Sequence, residues 1–174
     1  MDAFEAIRRR RSVRQFTGGA IPREHLLQIV DAGRLAASGN NRQPWEFIVV
    51  TERDLIEQLK AAATWMEQAG AIVAVVMDPT SRWWVEDGAA AVENMLLAAT
   101  ALGYGSCWLE GYTLRHEDEL KALLDIPAGK RLFTLVPLGL PVAWPTKDKK
   151  PLDTVLHWEH YSGEDMPVKG DATP

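Results

Sequence analysis

Cysteine is nearly absent from this 174-residue chain: Cys107 stands alone. No internal disulfide can form, and the composition suits a reducing compartment, so a cytoplasmic location is expected. Long apolar runs are missing as well. The longest stretch free of charge, residues 94–109, falls short of the ~18 apolar residues of a membrane span, and Thr100, Gly103, Tyr104, Gly105 and Ser106 dilute it. No transmembrane helix is expected. The first residues place Asp2 and Glu5 ahead of the arginines with no apolar stretch behind them, which is unlike a secretory leader. Positive charge is in deficit, 19 Lys and Arg against 24 Asp and Glu, and the net charge of −5 argues against nucleic acid as the partner. With only 13 Gly and 10 Pro beside 47% hydrophobic residues, the chain is neither fibrous nor low-complexity and should fold around one core. That domain is expected over residues 1–160, leaving 161–174 as a polar tail.

Most self-contained chemistry is lacking too. There is no G-x-x-x-x-G-K-[ST] loop, and Gly103-Tyr104-Gly105 lacks the third glycine of a dinucleotide fingerprint. His157 and His160 have no third ligand at metal spacing, so no metal is assigned. Cys107 has Ser106 and Trp108 as neighbours and no adjacent base, which reads as a buried structural thiol rather than a nucleophile. Glu86 and Asp87 are consecutive and point to different helix faces, a poor geometry for a shared acid–base pair. An enzyme built this way can borrow its chemistry from a cofactor.

What the chain does have is concentrated cationic charge. Arg8, Arg9, Arg10, Arg11 and Arg14 lie within seven residues, and Lys147, Lys149 and Lys150 within four. Two such clusters in an acidic protein suit a small anion such as a phosphate.

Periodicity supplies the frame. Asp2 caps a first helix with Glu5 three residues on, and Phe4 and Ile7 share its packing face. Pro22 opens a second helix that buries Leu26, Leu27, Ile29 and Val30 and runs out near Gly39. A polar loop follows over 38–45. Strands are expected at 47–50, 71–77, 106–109 and 131–138, the second buried on both faces. Helices are expected at 54–66, 84–102 and 116–124, the middle one apolar or small nearly all round and stopped by Gly103. A layered α+β or α/β domain follows, with more apolar helix surface than one subunit easily covers, so the 84–102 helix is read either as a homodimer interface or as the core of a monomer.

Five segments in order then carry a resemblance. They are Arg10-Arg11-Ser12-Val13-Arg14-Gln15-Phe16; Ser38-Gly39-Asn40-Asn41-Arg42-Gln43-Pro44-Trp45-Glu46-Phe47; Trp84-Val85-Glu86-Asp87; Gly105-Ser106-Cys107-Trp108-Leu109-Glu110-Gly111-Tyr112; and Lys149-Lys150-Pro151-Leu152. Together they resemble the FMN-dependent nitroreductase family, collinearly from about Phe4 to Glu159. The resemblance implies an α+β sandwich with a central, mostly antiparallel sheet flanked by helices. It also implies a homodimer with two FMN sites at the subunit interface. On it, Arg10, Ser12, Lys149 and Lys147 grip the FMN phosphate, Arg11 lies along the ribityl chain, and Arg14 reaches the N1/O2 edge of the ring. Ala37, Ser38, Gly39 and Asn41 come from the partner subunit, while Leu109, Glu110 and Gly111 pass the ring with backbone amides, one aimed at N5. Ala37 departs from the proline usual there, and little room remains between Met77 and Trp84 for the lid of larger relatives. Trp83 and Trp84 are candidate pocket walls. The implied activity is hydride transfer from NAD(P)H through flavin N5 to a nitroaromatic or quinone-like acceptor by a ping-pong scheme. The rivals are a specialised flavin reaction such as dehalogenation, flavin fragmentation or dehydrogenation, and a non-catalytic anion-binding module.

Overall fold

Residues 71–77 read AIVAVVM, a run with no polar side chain, which only a strand covered on both faces can accommodate. The computed structural model describes residues 1–60 and 62–161. It places these seven residues in a strand, β2 (Ala71–Met77), with every one buried. β2 sits inside a four-stranded sheet with β1 (Trp45–Val50) on one side and β4 (Arg131–Gly139) on the other, and the two-residue β3 (Gly105–Ser106) at the far edge of β4. All three ladders are antiparallel. The α+β expectation therefore holds.

The period of two along β2 divides the core. Ala71, Val73, Val75 and Met77 face a layer formed by α2 (Arg23–Arg34) and α4 (Trp84–Ala101). Ile72, Ala74 and Val76 face the opposite layer, which contains α3 (Arg53–Leu59) and, near the end of the chain's helical segments, α6 (Glu117–Leu123). β4 carries one extra residue where Val75 pairs with Thr134 but Val76 pairs with Leu132. This bulge flips the phase, so Leu132 and Leu135 point into one layer and Phe133, Val136 and Leu138 into the other.

Three expected elements differ. The 54–66 helix stops at Leu59, and Thr64–Gln68 is a 3-10 turn. The Arg53 guanidinium donates to the carbonyls of Ala69 (2.7 Å) and Glu67, folding this segment back over the start of α3 and burying Ala62, Ala63 and Met66. The 106–109 strand shrinks to β3, and α5 (Glu110–Arg115) follows at once. Here the buried Thr113 hydroxyl donates to the Leu109 carbonyl and accepts from the Leu135 amide at 3.3 Å, so a side chain substitutes for strand pairing. α2 ends at Arg34 rather than near Gly39, and Leu27 is exposed while Leu26 and Ile29 are buried.

The expected cap of α1 (Ala3–Arg9) is present: Asp2 Oδ1 accepts from the Glu5 amide at 2.8 Å. Its packing face is not as expected. Ala6 rests in the chain, whereas Phe4 and Ile7 are 71% and 55% exposed, beside a shallow apolar hollow lined by Ala32, Leu35, Leu97 and Ala98. α4 behaves as its composition demands, burying Ala91, Val92, Met95, Leu96 and Ala99, and it ends at Gly103, whose φ of +87° only glycine adopts freely. No helix among the described residues is long and apolar enough to cross a membrane. The tail expected at 161–174 lies, except for Tyr161, outside the described residues.

One ion pair ties the second layer to the sheet. Glu117 accepts from Arg131 Nε at 2.7 Å, from Nη2 at 2.8 Å and from the Leu132 amide at 3.0 Å. Hydrogen bonding to Arg131 and to that amide holds the Glu117 carboxyl below its ordinary value. The stabilisation is therefore complete above the unfolded pKa of ~4.3 and is lost as pH falls through the lower folded one. Glu117→Gln is expected to cost about 1–3 kcal/mol at pH 7, measured by denaturant unfolding, with the gap to wild type closing below about pH 4.

Candidate functional site

The arginine-rich segment leaves α1 at Arg10 and runs beside β3 as an added edge. Ser12 forms a parallel bridge with Ser106, and the Val13 amide donates to the Ser106 carbonyl at 2.9 Å. Alternation then points Val13 inward, 1% exposed, and leaves Ser12 and Arg14 facing out. Val13 fits only because residue 105 is glycine: a Cβ there would lie 2.7 Å from the valine's own. The lysine-rich segment is drawn alongside by backbone pairing, Thr17 N to Leu140 O at 2.9 Å and Val142 N to Gln15 O at 3.0 Å.

Arg11 completes the junction. Its Nε donates to the Lys147 carbonyl at 3.0 Å, and its Nη1 donates to the carbonyls of Arg8 and Arg10, each at 2.7 Å. Arg11 is thus a clamp between the two basic segments, with its guanidinium already committed to protein acceptors.

The result is a cleft of about 510 Å³ lined by Arg10, Arg11, Ser12, Arg14, Lys147 and Lys149. Val13, Gln15, Ala143, Pro145 and Asp148 complete the wall. Clusters 130 residues apart in the sequence therefore meet, as the charge pattern suggested. Asp148 is the one acid in the lining. From behind, Glu93 of α4 holds Arg10 Nε at 3.1 Å, which aims a guanidinium that is only 18% exposed. Burial pushes the Cys107 thiol up, while the charge of Arg14, a hydrogen bond with Ser12 and the charge of Arg10 act against it. Cys107 is 1% exposed, in keeping with a structural role. A smaller cleft beside β1 also contains Arg42 and Lys130, but Lys130 is neutralised by Glu46 at 3.0 Å and Asp78 at 3.3 Å.

The other expected site residues lie outside the cationic cleft. Ala37 and Ser38 precede the turn Gly39–Asn41, in which Asn40 and Asn41 have φ of 52° and 56° and are followed by Gln43 at 50°. Asparagine tolerates this left-handed region better than most residues. Ser38 Oγ accepts from the Gln43 amide at 3.0 Å, and the Gly39 amide donates to Asp87 Oδ1 at 2.9 Å. Trp83 covers Gly39 so closely that a Cβ there would lie 2.2 Å from the indole. Trp84 meets Phe133 edge-on at 6.1 Å, with the Arg131 guanidinium 5.4 Å over its ring. Leu109 is buried and its amide donates to Leu135 O at 3.0 Å, so that amide is used by the sheet. The amides of Glu110 and Gly111 open α5, where intrahelical acceptors are lacking.

Sequence reasoning missed Gln15, Ala143, Pro145, Asp148 and Glu93. Asp148 was visible between two lysines; a glutamate on a long helix gives no sign that it faces Arg10.

The donor set fits a phosphate ester. Arg10, Arg14, Lys147, Lys149 and the Ser12 hydroxyl line a volume within the ~300–1,000 Å³ typical of ligand sites, and Arg11 adds its charge while its donors serve carbonyls.

Comparison with known proteins gives the same direction. The model described as "Nitroreductase family" matches residues 7–75 and 60–140. A protein of Archaeoglobus fulgidus that carries the provisional name NADH dehydrogenase/NAD(P)H nitroreductase is 39% identical over 160 residues, 86% of this chain and 88% of its own. The crystal structure of a Bacteroides thetaiotaomicron protein with the same provisional name superposes with a TM-score of 0.84 at 29% identity, covering 91% of this chain and 98% of that one. A nitroreductase with bound FMN from Bacteroides fragilis superposes with a TM-score of 0.78 at 29% identity, covering 91% and 100%.

Proposed function

Because the chain belongs to the nitroreductase family, we propose that it is an FMN-dependent oxidoreductase that takes hydride from NAD(P)H and passes it to a nitroaromatic or quinone-like acceptor in a ping-pong sequence. The observation that carries this reading is the cationic cleft at the junction of the two basic segments, whose donors suit the phosphate of FMN. The FMN bound in the Bacteroides fragilis structure supports the choice of cofactor. When bound, FMN supplies the redox chemistry, accepting and donating hydride at N5.

The protein's part is to bind, orient and polarise. Arg10, Ser12, Lys147 and Lys149 hold the phosphate, with Arg11 locking the two segments that carry them. Arg14, exposed in the lining of the cleft, would serve the N1/O2 edge, where a fixed positive charge favours the negative charge that accompanies reduction. The Glu110 and Gly111 amides would serve N5, and Gly111 has open space at its α-carbon, which permits close approach.

The second subunit completes the site. Ala37, Ser38, Gly39 and Asn41 do not line the cleft of their own chain, and the exposed Phe4 and Ile7 beside α4 offer an apolar surface for a partner. A homodimer with two interface FMN sites accounts for both.

The test is kinetic. Anaerobic mixing with NADH or NADPH should bleach the flavin, a nitroarene or quinone should restore it, and steady-state double-reciprocal plots should be parallel. In the same assay Glu110→Gln should stay within about tenfold of wild type, because its backbone rather than its carboxylate serves N5, whereas loss of a general acid costs ~10² to 10⁴. A loss of three decades with FMN fully bound would assign the step to the side chain.

A further inference from the structure

Asp87 is the least expected charge in the molecule. It sits in the first turns of α4, 5% exposed, packed in a layer whose neighbours are Gly88, Ala91 and Val92. Burying a carboxylate is costly unless something compensates it. None of the ion pairs among the described residues includes it, and its Oδ2 is buried without a hydrogen-bond partner. Two features offset the cost. The N-terminal end of an 18-residue helix is positive, and Asp87 Oδ1 accepts the Gly39 amide at 2.9 Å.

That amide belongs to the turn that most needs holding. Asn40, Asn41 and Gln43 all have positive φ, a backbone conformation that persists where the surroundings fix it. The turn's remaining hydrogen bonds are local: Gln43 N to Ser38 Oγ, Gln43 Nε2 to Asn41 O, Asn41 N to Ser38 O and Arg42 N to Gly39 O. The Asp87 contact is the one side-chain hydrogen bond among the described residues that ties the turn to a distant element, and Trp83 closes over the same glycine from the preceding residues. A helix therefore dictates where the turn points.

We propose that Asp87 is a positioning residue for the flavin ring: through the Gly39 amide it sets the 38–41 turn in the conformation that the partner subunit's isoalloxazine meets. This rests on the functional reading above, in which that turn faces the partner's FMN. The contact is geometric, so it needs an acceptor oxygen at this place rather than a charge, and it acts on the ring end of the cofactor and not on the phosphate end.

The experiment uses the full-length dimer stripped of flavin and titrated with riboflavin and with FMN. Asp87→Ala should weaken both ligands by the same factor, about tenfold, because the ring is common to them. Asp87→Asn, whose amide oxygen still accepts from Gly39, should return both to within about threefold of wild type. Independently of any ligand, exchange of the Gly39 amide with solvent should be at least tenfold faster in Asp87→Ala than in wild type and near wild type in Asp87→Asn. If Asp87→Ala does not fold, Asp87→Glu, which shifts the oxygens by one methylene, should show the same faster exchange and the same equal loss of both ligands. Unchanged riboflavin affinity in a folded Asp87→Ala, a loss confined to FMN, or an Asp87→Asn as impaired as Asp87→Ala would each overturn the proposal. Wild-type protein that takes up neither flavin would instead overturn the functional reading, and this proposal with it.

Discussion

Replacing Arg10 and Lys149 together by alanine is expected to weaken FMN binding by about two to four decades while leaving riboflavin binding within a fewfold of wild type. Hydrogen bonds to a charged group are worth roughly 1.5–3 kcal/mol each, so two lost contacts amount to about 3–6 kcal/mol, at 1.36 kcal/mol per decade. The two residues approach the cleft from different segments, Arg10 from the end of α1 and Lys149 from the loop after β4, so neither substitution disrupts the other's support. Arg10 is also the better aimed of the arginines, since Glu93 holds its Nε at 3.1 Å. Arg11 would be the wrong choice for this test. Its guanidinium serves three backbone carbonyls, and its removal would open the junction itself. Isothermal titration with both ligands checks the prediction; riboflavin affinity falling as far as FMN affinity would show that the cluster does not hold the phosphate.

Dissociating the dimer is expected to release essentially all of the flavin. The 38–41 turn does not line the cationic cleft of its own chain, so on the proposed reading each FMN is gripped at its phosphate by one subunit and met at its ring by the other's turn. A monomer would lack the turn that meets the ring. Bound flavin should accordingly fall in step with dimer population on dilution, and added FMN should shift the equilibrium toward dimer by linkage. Charge placed on the exposed apolar face, as in Ile7→Glu, should promote both dissociation and loss of flavin. Sedimentation velocity with absorbance read at the flavin band measures the two species together. A monomer sedimenting with its flavin would contradict the shared site.

How far the sequence revealed this arrangement depended on the kind of signal. β2 was legible because seven consecutive apolar residues admit few other structures, and α4 because small and apolar residues run to a glycine stop. The cap of α1 was legible from Asp2 and Glu5 alone. Elements decided by a distant partner were not. The break after Leu59 depends on where Arg53 finds carbonyls, and the expected 106–109 strand is cut short where Thr113 of α5 bonds across to β4. At the site, the union of two cationic clusters could be anticipated from their charge, since an acidic chain gains little by concentrating arginines and lysines without an anion. The commitment of Arg11 to carbonyls and of the Leu109 amide to the sheet could not, because backbone partners leave no trace in side-chain patterns. Asp87 illustrates the same limit: as one of two adjacent acids on different helix faces it offered only a poor acid–base geometry, and burial and its contact with Gly39 are what distinguish it from Glu86.

The central claim is that the cationic cleft holds FMN, and the absorption spectrum of the purified protein tests it most directly. The protein should be yellow, with oxidised-flavin bands corresponding to about one FMN per chain, or should acquire them at that stoichiometry when FMN is added to stripped protein. Colourless protein that fails to take up added FMN would contradict the account.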